Sequence, residues 1–298
     1  MVHIRVEHVS KRYDKTTALD DVSFEAGAGE VFGLLGPNGA GKTTIIRTIL
    51  DLIRPDSGRV EILGHAFTAA DRDRIGYLPE ERGLYPRQKV GAVLEYLGAL
   101  KGMAAPAARE ESRRWLERFE LADAYDKKVE QLSKGNQQKV QIAATFLASP
   151  AVAILDEPLS GLDPVGARLV NRVIRERAAA GQTILLSTHQ MGMVEALCTR
   201  VFMIAKGRCV LYGDLREIIR EHSTDSVRVV SNADYARCPL VARVTASEEG
   251  DRSAEVHLRD GATSGEFLRW LAASGAAVDR FERQAAPLEE IFIRKAAL

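Results

Sequence analysis

Net charge is the first thing missing from this chain. Lysine plus arginine number 41 and aspartate plus glutamate number 41, so nothing overall draws it toward nucleic acid or anionic lipid, and no nucleic-acid partner is expected. Cysteine is scarce too. Cys198, Cys209 and Cys238 are odd in number and far apart, which fits neither a disulfide framework nor a zinc site and implies reduced intracellular thiols. Long hydrophobic runs are absent: the longest, IAATFLASPAVAIL from Ile142, is broken by Ser149-Pro150 and falls short of the roughly 20 residues that span a bilayer. The opening MVHIRVEHVSKRYDK alternates apolar and charged residues like a strand and has no basic leader or apolar signal core. These absences predict a cytoplasmic protein with no membrane-crossing segment of its own. Strong internal repeats, low-complexity linkers and the guanine-reading string N-K-x-D are also missing.

What is present suits an α/β fold. The chain has 298 residues, enough for about two domains. Strands are predicted around 2 to 9 and 20 to 26, followed by the apolar strand EVFGLL, which ends at Gly36. In KTTIIRTILDLI, Ile45, Ile46, Ile49, Leu50 and Ile53 recur at helical spacing, and the turn RPDSG precedes the strand RVEIL. Residues 90 to 130 are mostly helical with charged faces, an insertion between β-rich parts. From about Ser133 the α/β alternation resumes through strands AVAILD, QTILLST and RVFMIAKGRCVLYG, which implies a mostly parallel sheet. Short strands, the helix GEFLRWLAA and a last helix LEEIFIRKA then form an accessory α+β unit. The expected division is 1–219, with a helical insertion at about 88–148, and 220–298.

Gly36-Pro37-Asn38-Gly39-Ala40-Gly41-Lys42-Thr43 fits G-x-x-x-x-G-K-[ST] and lies between a strand and a helix, as a phosphate loop must. Its glycines free backbone N–H groups to wrap phosphate oxygens, and the helix start adds partial positive charge. Lys42 reaches the β and γ phosphates of a nucleoside triphosphate, and Thr43 ligates Mg²⁺. Thr44, next in the helix, belongs to the same contact. Strand AVAILDE ends in two carboxylates, for which a buried strand has no structural use. Asp156 fits the residue that holds Mg²⁺ through water. Glu157 fits the group that orients and deprotonates the attacking water.

Leu132-Ser133-Lys134-Gly135-Asn136 resembles the signature of ABC-type ATPases, commonly L-S-G-G-Q. Further stations are Tyr13, the SGLD run at Ser160 to Asp163, and His189 after TILLST, so the resemblance covers residues 1 to about 215. IGYLPEERGLYP and LSKGNQQKVQ are similar to the ATP-binding subunits of type-2 exporters, a group that includes sodium and drug or antibiotic exporters. The fold this implies is α/β: a P-loop NTPase ABC cassette with an antiparallel β part, a parallel-sheet core and a helical insertion. The tail, with its closing PLEEIFI, resembles the small C-terminal extension of exporter ATPases.

The resemblance also assigns roles. Tyr13 would stack on adenine. Ser133 can cap its helix, and the N–H groups around Gly135 and Asn136 can accept a γ-phosphate; in the family that phosphate belongs to ATP held by the facing subunit of a head-to-tail dimer with an identical or different second cassette. His189 would contact the γ-phosphate and help position Glu157 and water, and Asp163 would couple the two sites. Lys134 replaces the first signature glycine, and Asn136 the usual glutamine. Glu80 stands where the family usually has a glutamine that senses Mg²⁺ and water, and joins Thr43 and Asp156 as an expected metal contact. An integral membrane permease would dock on Arg82 to Pro86 and the helical insertion. The implied function is ATP hydrolysis that powers export of an ion, drug or lipid-like solute through that permease, at the inner face of the membrane. The alternative, a soluble ABC ATPase acting on ribosome or nucleic acid, would usually carry two cassettes or a long coiled-coil insertion, and this sequence has neither.

Overall fold

The structure is a computed structural model that describes residues 1–81, 83–222, 226–246, 253–259, 261–284 and 287–296. Two compact units divide the chain, Met1–Leu215 and Arg216–Leu298.

The first unit opens with a hairpin of β1 (Val2–Tyr13) and β2 (Thr16–Gly27). Both strands run further toward the turn than their apolar residues predict, because their outer ends are solvent-exposed and polar. Alternation buries Ile4 and Val6 from β1 and Val22, Phe24 and Ala26 from β2. Next come β3 (Val31–Leu35), α1 (Lys42–Ile49), β4 (Ser57–Ile62) and β5 (Ile75–Leu78). β4 joins the hairpin in an antiparallel sheet of order β2-β1-β4.

The helical insertion follows, with α2 (Val90–Leu100), α3 (Ala105–Arg118) and α4 (Lys134–Phe146). Trp115 stacks on Phe119 and Phe146, with ring centroids 5.7 and 5.8 Å away, which fastens α3 to α4. Then β6 (Val152–Asp156), α5 (Pro164–Ala179), β7 (Thr183–Thr188), α6 (Met191–Leu197), β8 (Arg200–Ala205) and β9 (Arg208–Asp214) complete the unit.

The central sheet runs β5-β6-β7-β3-β8-β9. All its pairs are parallel except β8 with β9. β3, β6 and β7 are buried along their whole length, which explains their continuous apolar runs. The parallel register also brings their C-terminal ends level, since Leu35 pairs with Thr188 and Asp156 with Ser187.

α7 (Leu215–His222) begins where the first unit ends, so the division falls at its start where sequence placed it at 219. In the second unit, β10 (Ser226–Ser231), β11 (Val241–Ala246), β12 (Ser253–Leu258) and β13 (Val278–Gln284) form an antiparallel sheet of order β11-β12-β10-β13. α8 (Ser264–Ala273) inserts Phe267 and Leu271 among Val227, Val229 and Val256, and α9 (Leu288–Ala296) closes the chain. Among the described residues no helix is long and apolar enough to cross a membrane. All three cysteines are free.

Candidate functional site

The phosphate loop leaves β3 at Leu35 and turns into α1 at Lys42. Gly41 makes that turn with φ of 117°, and a Cβ there would lie 2.7 Å from the Ala18 carbonyl oxygen; both facts require glycine. No side chain caps α1, so its first N–H groups remain available to an anion. Pro37, Asn38 and Gly39 are exposed, Gly36 and Ala40 are buried, and Thr43 and Thr44 are half-buried. Lys42 is 8% exposed, and its ammonium donates to the carbonyls of Gly36 at 2.6 Å and Pro37 at 3.2 Å. Burial pulls its pKa down, against the opposing charges of Glu157, Asp156 and Glu80.

The acid pair lies level with this loop. Asp156 ends β6 and accepts a hydrogen bond of 2.6 Å from the Ser187 hydroxyl. Burial pushes the Asp156 carboxyl up; the Ser187 hydrogen bond opposes the rise, and the Glu80 and Glu157 charges add to it. Glu157 departs from strand geometry with φ of 48°, a conformation that is uncommon without glycine and clusters at functional positions. Its Oε2 accepts from Thr188 Oγ1 at 2.9 Å. Its Oε1 accepts from the His189 backbone N–H at 3.0 Å and lies 2.6 Å from His189 Nδ1. Glu80 is exposed, two residues beyond β5. Because Leu78 pairs with Leu155, it stands at the level of Glu157. Lys42, Asp156, Glu157, His189 and Glu80 therefore share one end of the sheet.

The Ser133 string sits elsewhere. Ser133 is the N-cap of α4, and its hydroxyl accepts from the Asn136 N–H at 3.2 Å. Lys134 is exposed and Asn136 half-buried. A Cβ on Gly135 would approach the Gly161 carbonyl to 3.0 Å, so glycine lets this corner pack on the SGLD turn. The two glutamines serve the chain itself: Gln137 Nε2 donates to the carbonyls of Val129 at 3.2 Å and Leu132 at 3.1 Å, and buried Gln138 Nε2 to Pro158 at 3.1 Å. Asp163 caps α5 by accepting from the Gly166 N–H at 2.6 Å. Tyr13 ends β1, 44% exposed, with the Lys11 ammonium 5.7 Å from its ring. Arg82, the first residue of the expected docking segment, lies outside the described residues. Ser187 and Thr188 escaped the sequence reading; their only signal was two hydroxyls ending an otherwise apolar strand.

Comparison with known proteins fits this geometry. Residues 19–160 match the ABC transporter family, and residues 213–296 the C-terminal domain of DrrA1-3-like ATP-binding proteins. An uncharacterized ABC transporter ATP-binding protein of Bacillus subtilis, YhaQ, is 38% identical over 98% of this chain and 98% of its own length. The daunorubicin resistance ATP-binding protein DrrA3 of Streptomyces coeruleorubidus is 35% identical, covering 97% of this chain and 94% of that protein. The Nod factor export ATP-binding protein I of Ralstonia nicotianae is also 35% identical, covering 98% and 92%. Among solved structures, an ATP-binding subunit of an ABC transporter superposes with a TM-score of 0.69 at 32% identity, covering 74% of this chain and 92% of that one. With relatives this similar along nearly the whole length, the chain belongs to the ABC transporter family, as one of its ATP-binding proteins.

Proposed function

We propose that this chain binds ATP with Mg²⁺, pairs head to tail with a second cassette, and hydrolyses the nucleotide to drive export of a solute through a separate integral membrane permease. The observation that carries the proposal is the buried acid pair at the end of β6, held by β7 and His189 level with the phosphate loop. Lys42 and the uncapped start of α1 would hold the β and γ phosphates. Glu157 would take a proton from the attacking water at its carboxylate while His189 fixes that carboxylate's direction. Tyr13 would stack on the base.

Mg²⁺ suits the donors present. Asp156 is a carboxylate only 3% exposed, whose pKa burial pushes up, and the Thr43 hydroxyl lies in the first turn of α1; both are hard oxygen donors. Among the described residues no three His, Cys, Asp or Glu side chains converge on a metal position. Asp156, Thr43 and Glu80 would thus hold a cation whose other contacts are phosphate and water, the usual arrangement for this ion. When bound, Mg²⁺ supplies charge neutralisation between the phosphates.

Ser133, Gly135 and Asn136 would receive the γ-phosphate bound by the second cassette, with Asp163 at the same corner. A cavity of about 500 Å³, lined by Leu52, Tyr77, Leu84, Leu97, Leu100 and Lys101 among others, supports docking of a permease segment between the sheet and the helical insertion. Docking there would hold the chain at the inner face of the membrane. Relatives named for daunorubicin resistance and Nod factor export support an exported solute. Phosphate release by the purified chain tests the chemistry. Fractionation with and without a co-expressed permease tests the partnership, and membrane association independent of any permease would count against it.

A further inference from the structure

Two consecutive hydroxyls ending β7 face two consecutive carboxylates, Asp156 at the end of β6 and Glu157 just past it. The parallel register pairs Asp156 with Ser187, and successive strand residues point to opposite faces, so each hydroxyl finds a different acid. Ser187 Oγ donates to Asp156 Oδ1 at 2.6 Å, and Thr188 Oγ1 donates to Glu157 Oε2 at 2.9 Å. Both hydroxyl residues are completely buried. Thr188 is itself fixed, because its hydroxyl accepts from the Gln190 N–H at 3.1 Å, which leaves its own hydrogen directed at Glu157.

We infer that Ser187 and Thr188 are positioning residues with separate duties: Ser187 aims the metal-side carboxylate of Asp156, and Thr188 aims the water-side carboxylate of Glu157. The inference rests on the ATPase function proposed above and adds two residues to its machinery. The pairing explains how neighbouring acids can do different work. Two unrestrained carboxylates on adjacent residues could exchange roles or both turn toward one cation. A hydrogen bond to each, from a neighbouring strand that cannot slide, keeps them apart. Thr188 shares the task with His189, which holds the other oxygen of Glu157. Among the described residues Ser187 alone donates a hydrogen bond to the Asp156 side chain, so its loss falls undiluted on the metal side.

The test compares variants of the full chain. Thr188→Val keeps shape and removes the donor; since a hydrogen bond to a charged group is worth about 1.5–3 kcal/mol, kcat for ATP should fall roughly 10- to 100-fold while KM and ATP affinity stay within about twofold. Thr188→Ser restores the hydroxyl and should recover kcat to within about threefold. Ser187→Ala should act on the other axis: the Mg²⁺ concentration that half-saturates ATP binding, read by calorimetry without turnover, should rise about tenfold or more. Should the valine variant not fold, Thr188→Ala carries the same prediction. The inference is overturned if an active wild type gives variants that move the same parameter, if serine fails to rescue, or if Ser187→Ala leaves the Mg²⁺ requirement unchanged. A wild-type chain that binds no ATP sinks the proposed function itself, an outcome distinct from any pattern among variants.

Discussion

The acid pair and the Ser133 corner are both polar clusters at the ends of regular elements, yet only one is closed on itself. Asp156 and Glu157 are nearly buried, and Ser187, Thr188 and His189 hold Asp156 Oδ1 and both Glu157 oxygens. At the corner, Ser133 and Lys134 are exposed, and the serine hydroxyl makes one hydrogen bond, the 3.2 Å cap of its own helix. No acidic residue occupies the first turn of α4 to balance Lys134, although helix starts favour anions. The first cluster is organised within one chain, so its residues should report on chemistry. The second has capacity left for something from outside, so its residues should report on partnership.

The largest effect expected on this comparison comes from Glu157→Gln. A general base contributes roughly 10²- to 10⁴-fold, so phosphate release should fall by that factor while ATP binding persists; unchanged turnover would remove Glu157 from its role. Ser133→Ala should come next. Hydrolysis at protein concentrations that allow pairing should drop on the order of 10²-fold, the scale of losing a preorganised phosphate contact, while ATP affinity of the dilute chain stays as it was. If affinity of the dilute chain falls as well, the corner belongs to the same-chain site and the contrast with the acid pair dissolves. The lost cap should also cost about 1 kcal/mol of stability, visible in thermal melting. Tyr13→Ala should weaken ATP binding roughly tenfold, within the 1 to 3 kcal/mol of base–aromatic stacking; GTP should lose a similar factor, because a ring face does not read base edges.

What the sequence disclosed divides along the same line. β6 and β7 were legible because burial on both faces leaves continuous apolar runs, and the phosphate loop because only small residues fit its turn. β5 was missed: four residues, Ile75–Leu78, carry no period, and its place at the sheet edge comes from pairing with β6. In the string LSKGNQQKVQ, Gln137 and Gln138 look like ligand contacts, whereas the structure spends them on the carbonyls of Val129, Leu132 and Pro158. An amide side chain looks the same in sequence whether it awaits a partner or bridges two loops. Ser187 and Thr188 gave the converse error. Hydroxyls at a strand end are common, and only the register between β6 and β7 turns them into contacts with the acids.

The smallest effect concerns stability and tests how strained the closed cluster is. Burial raises the Asp156 pKa in the folded chain above its ordinary value. A raised carboxyl pKa means the folded state binds the proton more tightly, so this group's contribution is most favourable at acid pH, below the ordinary aspartate pKa of about 3.9, and is lost as pH rises through the folded value. At neutral pH the folded chain therefore bears a charge it holds less comfortably than the unfolded chain does. Asp156→Asn keeps an oxygen for Ser187 and removes that charge. In the absence of nucleotide the variant should melt a few degrees higher than wild type at pH 7 to 8, and the advantage should shrink as pH falls toward about 4. An asparagine variant less stable than wild type at pH 7 would mean that Lys42 and Ser187 already compensate the carboxylate fully. The acid pair would then be as relaxed as the exposed corner, and the cation would have little uncompensated charge to find there.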